Sequence, residues 1–126
     1  MASGKKLADP QAGPVLAEMA AINHRFQNQL PAADGERLLR RLIDDISAGR
    51  LDDDIVTADL DVELKSLRAL NQQVFSGLGP VVSMSFMRAA PTGIDTYHIE
   101  FKNGHGEMDI WLRDDGKLRS VRYYPD

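Results

Sequence analysis

Two hydrophobic periods divide this chain at Pro80. Before it, apolar residues recur every three to four positions, as on one face of a helix; after it they recur every second position, as on one face of a strand. The first helical segment starts near Pro14, a residue suited to a first turn, and aligns Val15, Met19, Ile22, Phe26 and Leu30 before Pro31 stops it. In the second, Asp34 is the expected N-cap for a stripe of Leu38, Leu39, Leu42, Ile43 and Ile46, and Gly49 ends it. Thr57 is the expected cap of a third and longest helix. It carries Leu60, Leu64, Leu67, Val74 and Leu78, with Phe75 flanking, and Gly77, Gly79 and Pro80 close it.

Four strands fit the period-two region, at about 81–89, 95–102, 106–113 and 117–124, separated by "PTGI", "NGHG" and "DDGK". Asn-Gly and Asp-Gly favour two-residue hairpin turns, because both central residues of such a turn take positive φ. The expected fold is α+β: three N-terminal helices, then a four-stranded antiparallel meander covered by the third helix. Residues 1–12 are small, polar and aperiodic, which reads as a tail or linker, and 13–126 as one domain.

Alternation sorts the strands into two faces. The core face takes Val82, Met84, Phe86, Tyr97, Ile99, Phe101, Met108, Ile110, Leu112, Val121 and Tyr123. With Asp115-Gly116 as a two-residue turn, Leu112 lies opposite Arg119, Ile110 opposite Val121 and Met108 opposite Tyr123. The polar groups pointing inward are then Arg88, Tyr97, Arg119 and Tyr123. They either bind an anionic or carbonyl ligand at a cavity mouth or form the amphipathic rim of a filled core. No carboxylate and no histidine faces inward from a strand, so a tuned catalytic base is missing and no catalytic residue is assigned.

The outer face holds Met87, His98, Glu100, Glu107, Asp109, Trp111, Leu118, Arg122 and Tyr124 among its members. A two-residue Asn103-Gly104 turn sets His98, Asp109 and Arg122 in one row; a four-residue "NGHG" loop sets His98 against Trp111 instead. Either row is a charge ladder or an acid-base group. Trp111 beside Leu118 and Met87 is a patch for a partner or a second copy, or else the N-terminal helix lies on it. Met87, His98, Asp109, Trp111, Leu118 and Arg122 are thus the expected interface residues.

Charge and composition narrow the chemistry. The chain has no cysteine, and its three histidines, His24, His98 and His105, lie far apart in sequence, so no metal site and no cofactor are expected. A net charge of −4 gives no basic footprint for nucleic acid. The acidic run from Asp52 to Glu63 reads as a solvated loop and first helical turn, or as an attractor of a basic partner. No stretch approaches the ~20 apolar residues of a membrane helix. No apolar segment follows the lysines of "MASGKKLADP", so the chain as written is expected to be cytoplasmic, or exported only if a leader has been removed.

From Leu70 to Pro125 the chain resembles a small domain appended to bacterial serine hydrolases of the β-lactamase and α/β-hydrolase kind. The positions that carry the resemblance are Leu78, Gly79, Pro80, Phe86, Gly93, Tyr97, Phe101, Gly104, Ile110, Leu112, Asp114, Gly116, Lys117 and Pro125. That domain is similar to the NTF2-like, cystatin-like (SnoaL-like) superfamily, which implies a curved sheet wrapped around a long helix. The resemblance implies an accessory setting rather than a site, and neither Ser-x-x-Lys nor Gly-x-Ser-x-Gly is present to supply the hydrolase itself.

Three functions are compatible with these residues. The first is a non-catalytic accessory or small-ligand-binding domain, self-associating as a homodimer through the outer face or docking on a fused or neighbouring hydrolase, with a small apolar or anionic ligand. The second is a small isomerase- or cyclase-like enzyme in which Glu63, His24 or Asn71 supplies the missing polar group. The third is an interaction or inhibitor module presenting the acidic run.

Overall fold

In the computed structural model, residues 12–51 and 54–126 are described; the tail expected over 1–12 lies outside them except for Ala12, and so do Asp52 and Asp53 of the acidic run. Helices α1 (Ala12–Asn28), α2 (Gly35–Ser47), α3 (Ala58–Ser66) and α4 (Arg68–Leu78) precede strands β1 (Val81–Ala89), β2 (Ile94–Phe101), β3 (Gly104–Leu112) and β4 (Leu118–Pro125). The strands form one antiparallel sheet in the order β1-β2-β3-β4. The class is α+β with a meander, but the described residues form four helices rather than the three expected.

The extra helix comes from a break in the expected long one. Leu67 leaves helical geometry at φ −113 and ψ 20, and the Ser66 hydroxyl donates to the Glu63 carbonyl at 2.7 Å, satisfying locally an oxygen at the helix end. The break lets α3 lie on β4 while α4 packs along α2. Leu60, Leu64 and Phe75 are buried, whereas Leu67 and Val74, expected inward, are exposed. Thr57 caps α3 as expected, its Oγ1 accepting from the Leu60 amide at 3.4 Å.

The strongest periodic signal, α2, is the innermost helix: Leu38, Leu39, Leu42, Ile43 and Ile46 are all buried. Asp34 holds the N-cap position with φ 64, yet its side chain caps nothing and instead faces Arg37 at 3.4 Å. The next residue must be small, since a Cβ on Gly35 would stand 3.0 Å from the Tyr97 hydroxyl. Helix α1 ends before Pro31, at Gln29, whose φ of 51 lets the Leu30 amide reach the Arg25 carbonyl at 2.9 Å. Most of its expected apolar stripe is open: Val15, Met19 and Leu30 are exposed, and only Ile22 and Phe26 are half-buried.

Three bulges correct the expected faces. Register shifts in β1 fall between Val81 and Ser83 and between Phe86 and Arg88. The first ejects Val82, which is exposed; the second sends Arg88 to the outer face and turns Ala89 inward. The third follows from the β3–β4 turn. There the Gly116 amide donates to the Arg113 carbonyl, and Gly116 at φ 82 closes a three-residue turn in place of the two-residue one. Leu112 consequently pairs with Leu118, and Arg119 bulges outward. Leu118 is fully buried, its amide donating to the Ile55 carbonyl at 2.8 Å and its carbonyl accepting from the Thr57 amide at 2.9 Å. From Trp111 to Gly106 the β3–β4 register is the expected one, with Ile110 opposite Val121 and Met108 opposite Tyr123.

The β2–β3 hairpin takes neither expected register. Phe101 pairs with Gly104 across Lys102 and Asn103, so His98 faces Glu107 and Thr96 faces Asp109. The tip is held by the end of α4: the Lys102 and Asn103 amides donate to the Pro80 and Leu78 carbonyls, and the Asn103 side chain donates to the Gly77 carbonyl. Side-chain parity is unaffected, because all three registers pair residues of the same face.

Candidate functional site

The four expected ligand-binding residues are not brought together. Tyr97 is buried beside Phe86, and Tyr123 packs in an aromatic cluster with Phe75 and Phe101 at centroid distances of 5.4 and 6.1 Å. The two arginines stand on the other side of the sheet. Arg88 donates to Glu107 at 3.5 Å, and the Arg119 guanidinium lies 4.7 Å from the centre of the Trp111 ring.

The inward face does contain a carboxylate, against expectation. Asp95 lies two residues before Tyr97 on the same side of β2 and is 1% exposed. Its oxygens accept from the Arg25 guanidinium at 2.6 Å and from the Ala32 amide at 2.8 Å. The same helix end clasps the edge strand β1, because the Gln29 amide both donates to the Ala89 carbonyl and accepts from the Ala89 amide, each at 3.0 Å. These contacts are long-range pairings of single polar residues, which no local period announces. Burial, then the Asp95 charge, pushes the Tyr97 hydroxyl up to about 12, so it stays protonated across the physiological range.

Several places among the described residues hold convergent polar groups, and two of them include expected site residues. One is an open groove between α3, α4 and β4, with about 320 Å³ of free volume. Leu60, Leu64, Leu67, Leu70, Val74 and Val121 make it apolar, and Glu63, Asn71, Arg122 and Tyr123 give it polar points. The Tyr123 hydroxyl is buried with no hydrogen-bond partner among the described residues, and burial followed by the Asp126 charge raises its pKa, keeping it a donor. His24, the third candidate for the missing polar group, is not among the lining residues.

The other is the outer face. Its central row runs Arg88, Thr96, Asp109, Arg122 rather than through His98, with the Thr96 hydroxyl donating to Asp109 at 2.6 Å. His98 Nε2 instead meets Glu100 Oε1 at 2.7 Å, and the His98 and His105 rings stand 6.1 Å apart. Distance along the chain is a poor guide to distance in the fold here: the hairpin brings two of the three histidines together around Glu100, with a donor atom of each of the three residues within 4.8 Å of the others. Of the expected interface residues, Met87 and Arg122 are exposed, whereas Leu118 is in the core. Trp111 is half-buried near Gly93, where a Cβ would stand 3.3 Å from the indole nitrogen and 3.0 Å from Ile22 of α1, and that nitrogen has no hydrogen-bond partner among the described residues.

The His98 pKa is raised, first by its hydrogen bond to Glu100 and further by the charges of Glu100, Asp126 and Glu107, against an opposing contribution from desolvation. A group whose folded pKa lies above its unfolded one stabilises fully below the unfolded value and loses that contribution as pH rises through the folded value. A His98→Asn variant in chelator is thus expected to be less stable than the parent at pH 5.5 and to converge on it toward pH 9, read from denaturant midpoints. A constant gap would show that the difference is not electrostatic.

Comparison of the chain with protein-family models, with curated proteins and with solved structures finds no match.

Proposed function

We propose that this chain is a non-catalytic, small-ligand-binding accessory domain of NTF2-like, cystatin-like kind, and that its ligand lies in the groove between α3, α4 and β4. The observation that carries the proposal is the buried hydroxyl of Tyr123, unpartnered among the described residues, on a side chain that lines a mainly apolar groove. A buried donor without a partner costs stability, and a ligand acceptor would recover it. The preferred ligand is small and largely apolar with one carbonyl or similar acceptor, in keeping with a free volume near the lower end of the usual range for ligand sites. The inward carboxylate offers no rival site, since Arg25 and the Ala32 amide occupy Asp95. We propose no dimer contact centred on Trp111, because Leu118 is interior and Arg119 stacks on the ring.

Binding of an environment-sensitive apolar fluorophore, and its displacement by small ketones and carboxylic acids, tests the proposal. Val74 is exposed at the groove, so Val74→Glu is expected to leave the fold intact and abolish binding. Tyr123→Phe is expected to weaken acceptor-bearing ligands about fivefold, the equivalent of one ordinary hydrogen bond, and to spare purely apolar ones. Binding that survives Val74→Glu would place the ligand elsewhere. The enzyme alternative has Glu63 and Asn71 on this same groove; a ligand recovered chemically changed, and unchanged with Glu63→Gln, would favour it.

A further inference from the structure

The outer-face cluster carries a second site, independent of the groove. We infer that His98, Glu100 and His105 form a binding site for one divalent transition-metal ion, zinc foremost, held by two imidazole nitrogens and a carboxylate with its remaining positions open to solvent or a partner. His98 and Glu100 are two apart on β2 and so project to the same side, and Glu100 is the cross-strand partner of His105 on β3. All three donors therefore rise from one hairpin, whose backbone holds them in place without any loop. Their donor atoms lie within 4.8 Å of one another. Zinc bonds of about 2.1 Å in a tetrahedron place ligand atoms about 3.4 Å apart, so side-chain rotation alone can close the site. Solvent exposure leaves room for that rotation, with His105 and Glu100 each about half exposed.

The surroundings favour a cation. His105 Nδ1 meets the Asp126 carboxylate at 2.5 Å, which leaves Nε2 for an ion and reproduces the carboxylate support usual behind a metal-bound imidazole. Glu107 stands opposite His98, and Arg88, the cation beside it, is engaged with that same Glu107. Two imidazoles and one carboxylate suit zinc and its first-row neighbours, and their softness argues against magnesium or calcium. The ion would displace the His98–Glu100 hydrogen bond.

The test is calorimetric titration of the full, untagged, chelator-stripped chain with zinc chloride at pH 7.5. One equivalent of zinc is expected to bind, with perturbation of the His98 and His105 imidazole resonances and not of His24. His98→Ala, His105→Ala and Glu100→Gln are each expected to weaken binding at least tenfold, and Asp126→Asn about tenfold as a supporting group. His24→Ala is expected to change nothing. Circular dichroism verifies that each variant folds, as the exposure of these side chains leads one to expect. Absence of saturable zinc binding, or binding that persists in the His98→Ala/His105→Ala double variant, would overturn the inference and leave an ordinary surface ion pair.

Discussion

Leu118→Ala is expected to cost about 3 kcal/mol, while Arg119→Ala costs well under 1 kcal/mol. Leu118 is fully buried opposite Leu112, so truncation removes its transfer energy and leaves a cavity beneath the parallel bridge to Val56. Arg119 is exposed, and its loss removes one guanidinium from the Trp111 face. A two-residue turn would reverse the order, with Arg119 inward and Leu118 on the surface. Chemical denaturation of the two variants discriminates: equal midpoints, or a larger loss for Arg119→Ala, would disprove the bulge. At this chain length the loss in Leu118→Ala corresponds to a fall in Tm of about 12 °C.

Arg25→Ala is expected to destabilise by a similar amount, about 3 kcal/mol, because it leaves the Asp95 carboxylate buried without its counter-ion. Asp95 lies between Ala89 and Ile110 on the inner face, so the penalty is felt in the sheet as well as at the end of α1. Adding Asp95→Asn to Arg25→Ala removes the unpaired charge and keeps an acceptor for the Ala32 amide. The double variant is therefore expected to recover part of the loss, a coupling that a double-mutant cycle measures directly. A double variant no more stable than Arg25→Ala alone would show that lost packing, not charge, accounts for the effect.

The groove and the outer-face cluster make different demands on the same sheet. Ligand binding beside β4 uses the side where helices α3 and α4 leave Leu67, Leu70 and Val74 uncovered. The proposed metal site uses the opposite side of β2 and β3. Because Val74→Glu and His105→Ala fall on separate surfaces, each is expected to leave the other binding event unchanged, and the two functions can be scored in one set of variants.

By itself the sequence determined the class of fold, the buried stripe of α2, the Thr57 cap and which residues of β2 and β3 share a side. Each of these follows from a period or a cap that acts within a few residues, where backbone geometry leaves little choice. Only the tertiary structure decided the helix break at Leu67, the bulges that moved Val82, Arg88 and Arg119 outward, and the union of Arg25 with Asp95 and of His98 with His105. Two of the bulges lie where edge-strand backbone groups are engaged by distant parts of the chain: Leu118 by Ile55 and Thr57, Ala89 by Gln29. Such bonds join positions far apart in sequence, and their strength depends on burial that exists only once the sheet has closed. For the same reason the alternation in β2 assigned His98 and Glu100 to one face, whereas His105, expected in the connection, joined that face only because the turn forms at Lys102 and Asn103.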